Sequence, residues 1–248
     1  MKKITLAIIG NIHPKQIKFS IDTSTKVIEK DFEDVFIYSE ENMDIDRYND
    51  FCIKELYNHI KTEFVMIIQY DGMAVRKEYW TDKYFDYDYI GASWPARFNW
   101  IKPGEEVGNG GFSLRSARLL HALQDPTIQR DKQDQRKDNE DSVICQGFNS
   151  YLQYEHDIKF APKILADRFS HEWCNPTGQS LGFHGMWNTP LFFDESTVLE
   201  LIEDVPATYW YSDRYQMFRD ICNNKRYFEA KMHVAKKIID YKANQSKI

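Results

Sequence analysis

Early in the chain three apolar runs stand out from polar surroundings: ITLAII (4–9), DVFIY (34–38) and FVMII (64–68). They are continuous rather than alternating, the pattern of strands covered on both faces in a parallel sheet. Between the second and third, DRYNDFCIKELYNHI repeats apolar side chains at helical spacing (Tyr48, Phe51, Cys52, Leu56, Ile60), with Asp46 placed to cap its start. Strand, helix, strand in that order predicts a βαβ unit within an open α/β sheet, where ligands bind at the carboxyl ends of the strands. Further on, DYDYIGASWP predicts a short strand stopped by Pro95, GGFSLRS a second strand, and SARLLHAL a short helix capped by Ser116. The charged run that follows predicts a polar surface loop over 125–138. A helix is expected from about Asn139, with Val143, Ile144, Phe148, Tyr151 and Leu152 inward. After HGMWNTP the pattern becomes helical, with Ser196 placed to cap TVLELIED and a long helical stretch from Ser212 to about Lys242. No linker or repeat interrupts the chain, so the expectation is an α/β domain over 1–190 and a C-terminal helical extension, 191–248, packed on the same domain.

Composition narrows the choice of function. Of 248 residues, 42% are hydrophobic and 28% charged, which suits a globular chain and excludes general disorder. The 15% aromatic share suits a large core and, more weakly, stacking on sugars. A formal charge of −6 argues against a nucleic-acid partner or a general binder of anionic membranes. The basic stretch from Lys231 to Lys242 reads first as a solvated helix face and second as a peripheral contact with a membrane-borne acceptor. Cys52, Cys145, Cys174 and Cys222 are isolated, which excludes a zinc ribbon and fits reduced thiols in a cytoplasmic protein. MKKITLAIIGNIHP imitates a signal peptide, but its apolar run is short and no small-residue cleavage site follows. No apolar stretch approaches the ~20 residues of a transmembrane segment.

Four places carry candidate chemistry. In FVMIIQYDG, Asp71 follows a buried strand: Asp-Gly is a turn dipeptide, and a strand end is also where a carboxylate can hold a divalent cation against a diphosphate. In VGNGGFSL, Gly108, Asn109, Gly110 and Gly111 exceed the needs of a tight turn and predict a backbone cradle for a sugar or diphosphate. Neither phosphate-loop motif is present. In DNEDSVICQ, Glu140 and Asp141 stand at a helix start, where acidic residues complement the macrodipole. The same dipole is expected to lower the carboxylate pKa and keep a base ionised. In LGFHGMWN, His184 sits between Phe183 and Gly185 with Trp187 nearby; an isolated His is commonly structural, yet imidazole also binds zinc- or manganese-like ions. His171 and Glu172 form a polar pair without an assigned role.

Taken in order, QYDG, YDYIGASWP, VGNGGFSLRS, NEDSVIC, FAPKILADRFSHE and GFHG resemble a bacterial and viral family of glycosyltransferase-like domains assigned to the GT-A superfamily. The resemblance runs from about Leu6 to Asn188. It implies a GT-A-like open mixed sheet with a Rossmann-like nucleotide-binding half, and a hexosyltransferase using a nucleotide-sugar donor, UDP-linked as in similar enzymes. Those enzymes end a strand in Asp-x-Asp, whose second Asp holds manganese; Asp71 matches it, and Gln69 stands at the first acidic position. The resemblance further implies Asp141 as general base, Glu140 as a ligand of acceptor hydroxyls, and Asp71 with His184 as ligands of a Mn2+ or Mg2+ ion. The donor would meet Gln69, Asp71, Asn109, Gly110, Gly111 and Arg115, with Trp94 or Trp187 against a sugar face. The acceptor would be a glycan or lipid-linked glycan of surface polysaccharide biosynthesis, and the loop 125–138 a lid. Loss of the first Asp keeps open a non-catalytic carbohydrate-binding or assembly module. A nucleotidyl or phosphoryl transferase is a third reading, disfavoured by the missing phosphate loop.

Overall fold

The computed structural model describes residues 2–10, 14–28, 32–40, 43–174, 179–210 and 213–245. In chain order it begins with β1 (Ile4–Ile9), α1 (Pro14–Val27), β2 (Phe32–Tyr38), α2 (Ile45–Asp50), β3 (Phe64–Ile68) and β4 (Gly72–Ala74). Then come β5 (Tyr89–Ser93), β6 (Val107–Ser116), α3 (Ala117–Ala122), α4 (Glu140–Ser142), α5 (Asn149–His156), α6 (Lys163–Phe169), β7 (Ser170–His171) and β8 (Gly182–His184). The chain divides into two compact units, 1–184 and 185–248, so the boundary falls at His184/Gly185 rather than after residue 190.

The first unit is a mixed α/β fold. Its five-stranded sheet has the order β2-β1-β3-β6-β5. The first three strands run parallel, as the βαβ pattern predicts, and β6 is antiparallel to both of its neighbours. β1 and β3 are buried along their whole length, as continuous apolar runs require. β2 departs from the expectation: it is an edge strand, and its Val35 and Ile37 are exposed. A second sheet, β4-β8-β7, stands at the end of β3 and pairs Gly72 with His184.

Two capping expectations shift. Asp44, not Asp46, caps α2, its carboxylate accepting from the Arg47 N–H at 2.8 Å. Asp46 instead holds Arg130 and Lys132, while Arg130 also donates to Asp50 and to the Asp138 carbonyl. The expected lid, 125–138, is thus fastened to α2 in this conformation. Ser116 caps α3 as expected, accepting from Leu119 N at 3.0 Å.

β6 is the element that organises the site. The strand expected over GGFSLRS begins earlier, so the whole glycine quartet lies inside this ten-residue strand, and all ten positions are buried. Pairing with β5 jumps from Ile90↔Leu114 to Ala92↔Asn109, while pairing with β3 runs on to Ile68↔Phe112. Residues 110–113 therefore bulge from the β5 ladder, with Ser113 Oγ donating to the Gly110 carbonyl at 2.9 Å and Gln69 N donating to the Gly111 carbonyl at 2.9 Å.

The second unit holds α7 (Glu195–Ile202), α8 (Asp213–Lys225) and α9 (Phe228–Gln245) around buried Trp187, Trp210, Phe218 and Val234. Asp194 rather than Ser196 caps α7, accepting from Thr197 N at 2.9 Å. The expected helix start at Ser212 lies outside the described residues. Arg226, with φ 63°, breaks the long helical stretch in two. Trp187 is 1% exposed and lies under the Arg214 guanidinium, so neither ring face is open to a sugar as expected. Among the described residues no helix is long and apolar enough to cross a membrane.

Candidate functional site

The site starts from the end of β3. Asp71 and Gly72 do form the turn that their sequence predicts, with Gly72 N donating to the Gln69 carbonyl at 3.0 Å. That turn buries Asp71 and aims it at β8, where His184 Nε2 lies 3.3 Å from Asp71 Oδ1 and 2.9 Å from Gln69 Oε1. The other ring nitrogen, Nδ1, lies 2.9 Å from Glu172 Oε1. Burial alone would push the His184 pKa down, but Asp71 and Glu172 outweigh it and raise the pKa to about 10. At neutral pH the ring is therefore an imidazolium set between two carboxylates. Glu172 is the site residue that sequence reasoning left unassigned. It lies just past β7, and only the pairing of β7 with β8 brings it to the ring.

The second group gathers where α4 begins. Arg115 and Glu140 form a bidentate ion pair at 2.7 and 3.0 Å with almost no exposure. Arg115 also donates from Nε to Ser113 Oγ at 3.1 Å and stacks over Tyr89, while the Glu140 N–H donates to Asn49 Oδ1 at 3.0 Å. This corrects two expectations: Glu140 is committed to Arg115 rather than open to acceptor hydroxyls, and Arg115 is sealed from any diphosphate. Asp141 is different. It is half-buried, accepting from Gly110 N at 3.1 Å and from Ser142 N at 2.7 Å. Its pKa is raised to about 7, by burial first and the Glu140 charge second, against the Gly110 N–H and Arg115. The expected lowering by a helix dipole fails because α4 is a three-residue turn that passes at once into a wider π-type segment, Val143–Gly147.

The glycines explain how the two groups meet. Successive strand positions face opposite ways. A methyl on Gly110 would overlap Glu140 and Arg115; a methyl on Gly111 would overlap the His184 ring; one on Gly108 would overlap Trp94. The quartet thus makes room for protein side chains rather than forming an exposed cradle. Asn109 is likewise used internally, its Oδ1 accepting from Gly111 N at 3.2 Å. Trp94 is 4% exposed, packed on Gly108 and edge-on to Trp100, and offers no free face to a sugar. The sequence-predicted residues Gln69, Asp71, Gly111 and His184 form one group, and Gly110, Arg115, Glu140 and Asp141 the other, joined at the Gly110–Gly111 peptide. The Glu172 charge reaches Asp141 and adds to the rise in its pKa, so the groups interact.

Among the described residues, hollows reach two of the side chains that hold the His184 ring. One, of about 260 Å³, opens at the carboxyl ends of β1 and β3 and reaches Gln69 and Tyr48. The other, of about 440 Å³, is lined by Ser93, Arg97, Lys163, Trp173 and Cys174 and reaches Glu172. Asp141 lines neither. Buried Cys52 and Cys145 have their thiol pKa pushed up by burial, which removes them as nucleophiles at neutral pH. Among the described residues no three His, Cys, Asp or Glu side chains are gathered as a metal centre. The set around His184 Nε2 is one carboxylate, one amide oxygen and one imidazole. These donors stand 2.9–3.3 Å from the ring nitrogen, a spacing compatible with neighbouring ligands of an ion bound at roughly 2.1 Å.

Gly111→Ala tests the packing directly. The added methyl must expel the ring from between its carboxylates, so the His184 pKa should fall from about 10 towards 6.5. A ring titration by NMR reads the change, and an unshifted value in the variant would place the ring elsewhere.

A family model described as "Protein of unknown function (DUF5672)" matches residues 31–184, a span that holds every site residue described above. No curated protein matches. Among solved structures the chain is similar to A197 from STIV, at 12% identity and a TM-score of 0.35, over 63% of this chain and 79% of that one. At that score the likeness carries no argument.

Proposed function

The chain belongs to the DUF5672 family, whose description leaves its chemistry open, and from that premise we propose that it is a nucleotide-sugar-dependent glycosyltransferase of GT-A-like architecture. It moves a hexose, with inversion, to a hydroxyl of a glycan acceptor. One observation supports the reading: a carboxylate with a pKa of about 7 is held by Gly110, and a positively charged imidazole packs against the next residue, Gly111. A general base works best with a pKa near the working pH. Asp141 takes the acceptor's hydroxyl proton; the oxygen bonds to the anomeric carbon as the bond from that carbon to the diphosphate oxygen breaks. The electron pair leaves with the nucleoside diphosphate, UDP by the sequence resemblance. The His184 imidazolium supplies positive charge where the leaving group gains negative charge. With the Nε2 proton displaced, Gln69, Asp71 and His184 would hold a Mn2+ or Mg2+ ion, with Glu172 fixing the ring from its far nitrogen. Such an ion, when bound, would supply the positive charge at the diphosphate in place of the imidazolium.

Incubation with a panel of nucleotide sugars and manganese tests the reading. Slow release of nucleoside diphosphate from one donor supports a transferase. Sugar binding without release supports the non-catalytic carbohydrate-binding module. Asp71→Ala should weaken donor binding and erase any manganese requirement. A variant unchanged in both respects removes Asp71 from the diphosphate site.

A further inference from the structure

Three large apolar side chains stand exposed on one helix of the second unit. Phe228, Met232 and Ile239 of α9 are 61%, 62% and 65% exposed. At about 100° per residue they fall within roughly 40° of one another. The opposite face carries Ala230 and Val234, which are buried. α9 therefore has two apolar faces, and folding uses one. Single exposed apolar side chains are ordinary, whereas an aligned set marks a contact surface.

Charge identifies the occupant. On the same helical projection Lys231 and Lys242 border the stripe on one side and Lys236 on the other, with Glu229 and Asp240 farther round beyond Lys236. From Cys222 to the end of the chain seven Lys and Arg face two Asp and Glu, in a protein of formal charge −6. Lys231 lies over the Phe228 ring, 5.2 Å from its centre, and its ammonium donates to the neutral Asn223 Oδ1 at 2.8 Å. Among the described residues no carboxylate pairs with Lys231 or Lys236.

We propose that this face of α9 docks reversibly on an anionic lipid surface. Phe228, Met232 and Ile239 enter the acyl boundary while the lysine stems lie flat and their ammonium groups meet the headgroups. A second copy of the chain would bring the same lysines together, whereas anionic lipid complements them. The proposal stands apart from the transferase reading, because it concerns only the second unit.

Cosedimentation of the full chain with phosphatidylcholine vesicles, with and without phosphatidylserine, tests it. Binding should require phosphatidylserine and weaken with salt. Lys231→Glu with Lys236→Glu and Lys242→Glu should weaken it by about a hundredfold or more. Phe228→Ser with Met232→Ser should weaken it by about tenfold or more. Both variants should melt like wild type, since the altered side chains are on the outer face. Absence of binding to phosphatidylserine vesicles, or variants that bind as wild type does, overturns the proposal. So does a lipid-free dimer, seen by light scattering, that Phe228→Ser with Met232→Ser dissociates: that result assigns the stripe to a second copy.

Discussion

On the proposed transferase mechanism, replacing Asp141 by Asn should lower the rate of sugar transfer by about 10²–10⁴-fold while donor affinity stays near wild type. Asparagine keeps an acceptor for the Gly110 or Ser142 N–H but cannot take a proton. Loss of turnover with intact binding is therefore the signature of a base. Folding supplies the control. Because burial raises the Asp141 pKa above its unfolded value, the stability this group contributes is present at low pH and lost as pH rises through about 7. A neutral asparagine escapes that loss, so the variant should melt no lower than wild type at pH 8. Turnover equal to wild type would remove Asp141 from the mechanism.

Replacing Arg115 by Met should destabilise the protein by about 3–5 kcal/mol, because it strands the Glu140 carboxylate in a dry interior. For a chain of this size that corresponds to a fall of roughly 6–20 °C in melting temperature. Adding Glu140→Leu should restore most of the loss, since an apolar pair of similar volume removes the buried charge altogether. Thermal melts of the single and double variants decide it. A stable Arg115→Met protein would show that water or another cation reaches Glu140. Under the proposed mechanism, neighbouring carboxylates at one helix start serve structure and chemistry separately, and burial beside a fixed cation is what divides them.

Much of the sheet was legible because the interior strands are apolar throughout, as in Ile4–Ile9 and Phe64–Ile68. β2 has the same pattern yet lies at the edge, a difference set by strand order that no local run encodes. α1 escaped the pattern altogether because its inward face is partly hydroxyl. Ser20 donates to the Tyr70 carbonyl at 3.2 Å, and Ser24 accepts from Ala74 N at 3.1 Å. At the site, Asp71, His184 and Asp141 could be named from their settings in QYDG, GFHG and NEDS. Their partners could not. That Glu140 belongs to Arg115, that Glu172 holds His184, and that the glycines admit side chains rather than a ligand all depend on contacts between distant segments. The pKa of Asp141 was misjudged for the same reason: a three-residue helical turn carries little dipole, while burial and Glu140 act through the folded chain.

The most direct test of the account is the rate of nucleoside diphosphate release from the active donor between about pH 5 and pH 9, in wild type and in Asp141→Asn. The account predicts a wild-type rate that rises about tenfold per unit below pH 7 and levels above it, and a variant rate that is low and flat. A wild-type profile that is flat through pH 7, or a variant that reproduces the wild-type rise, would contradict it.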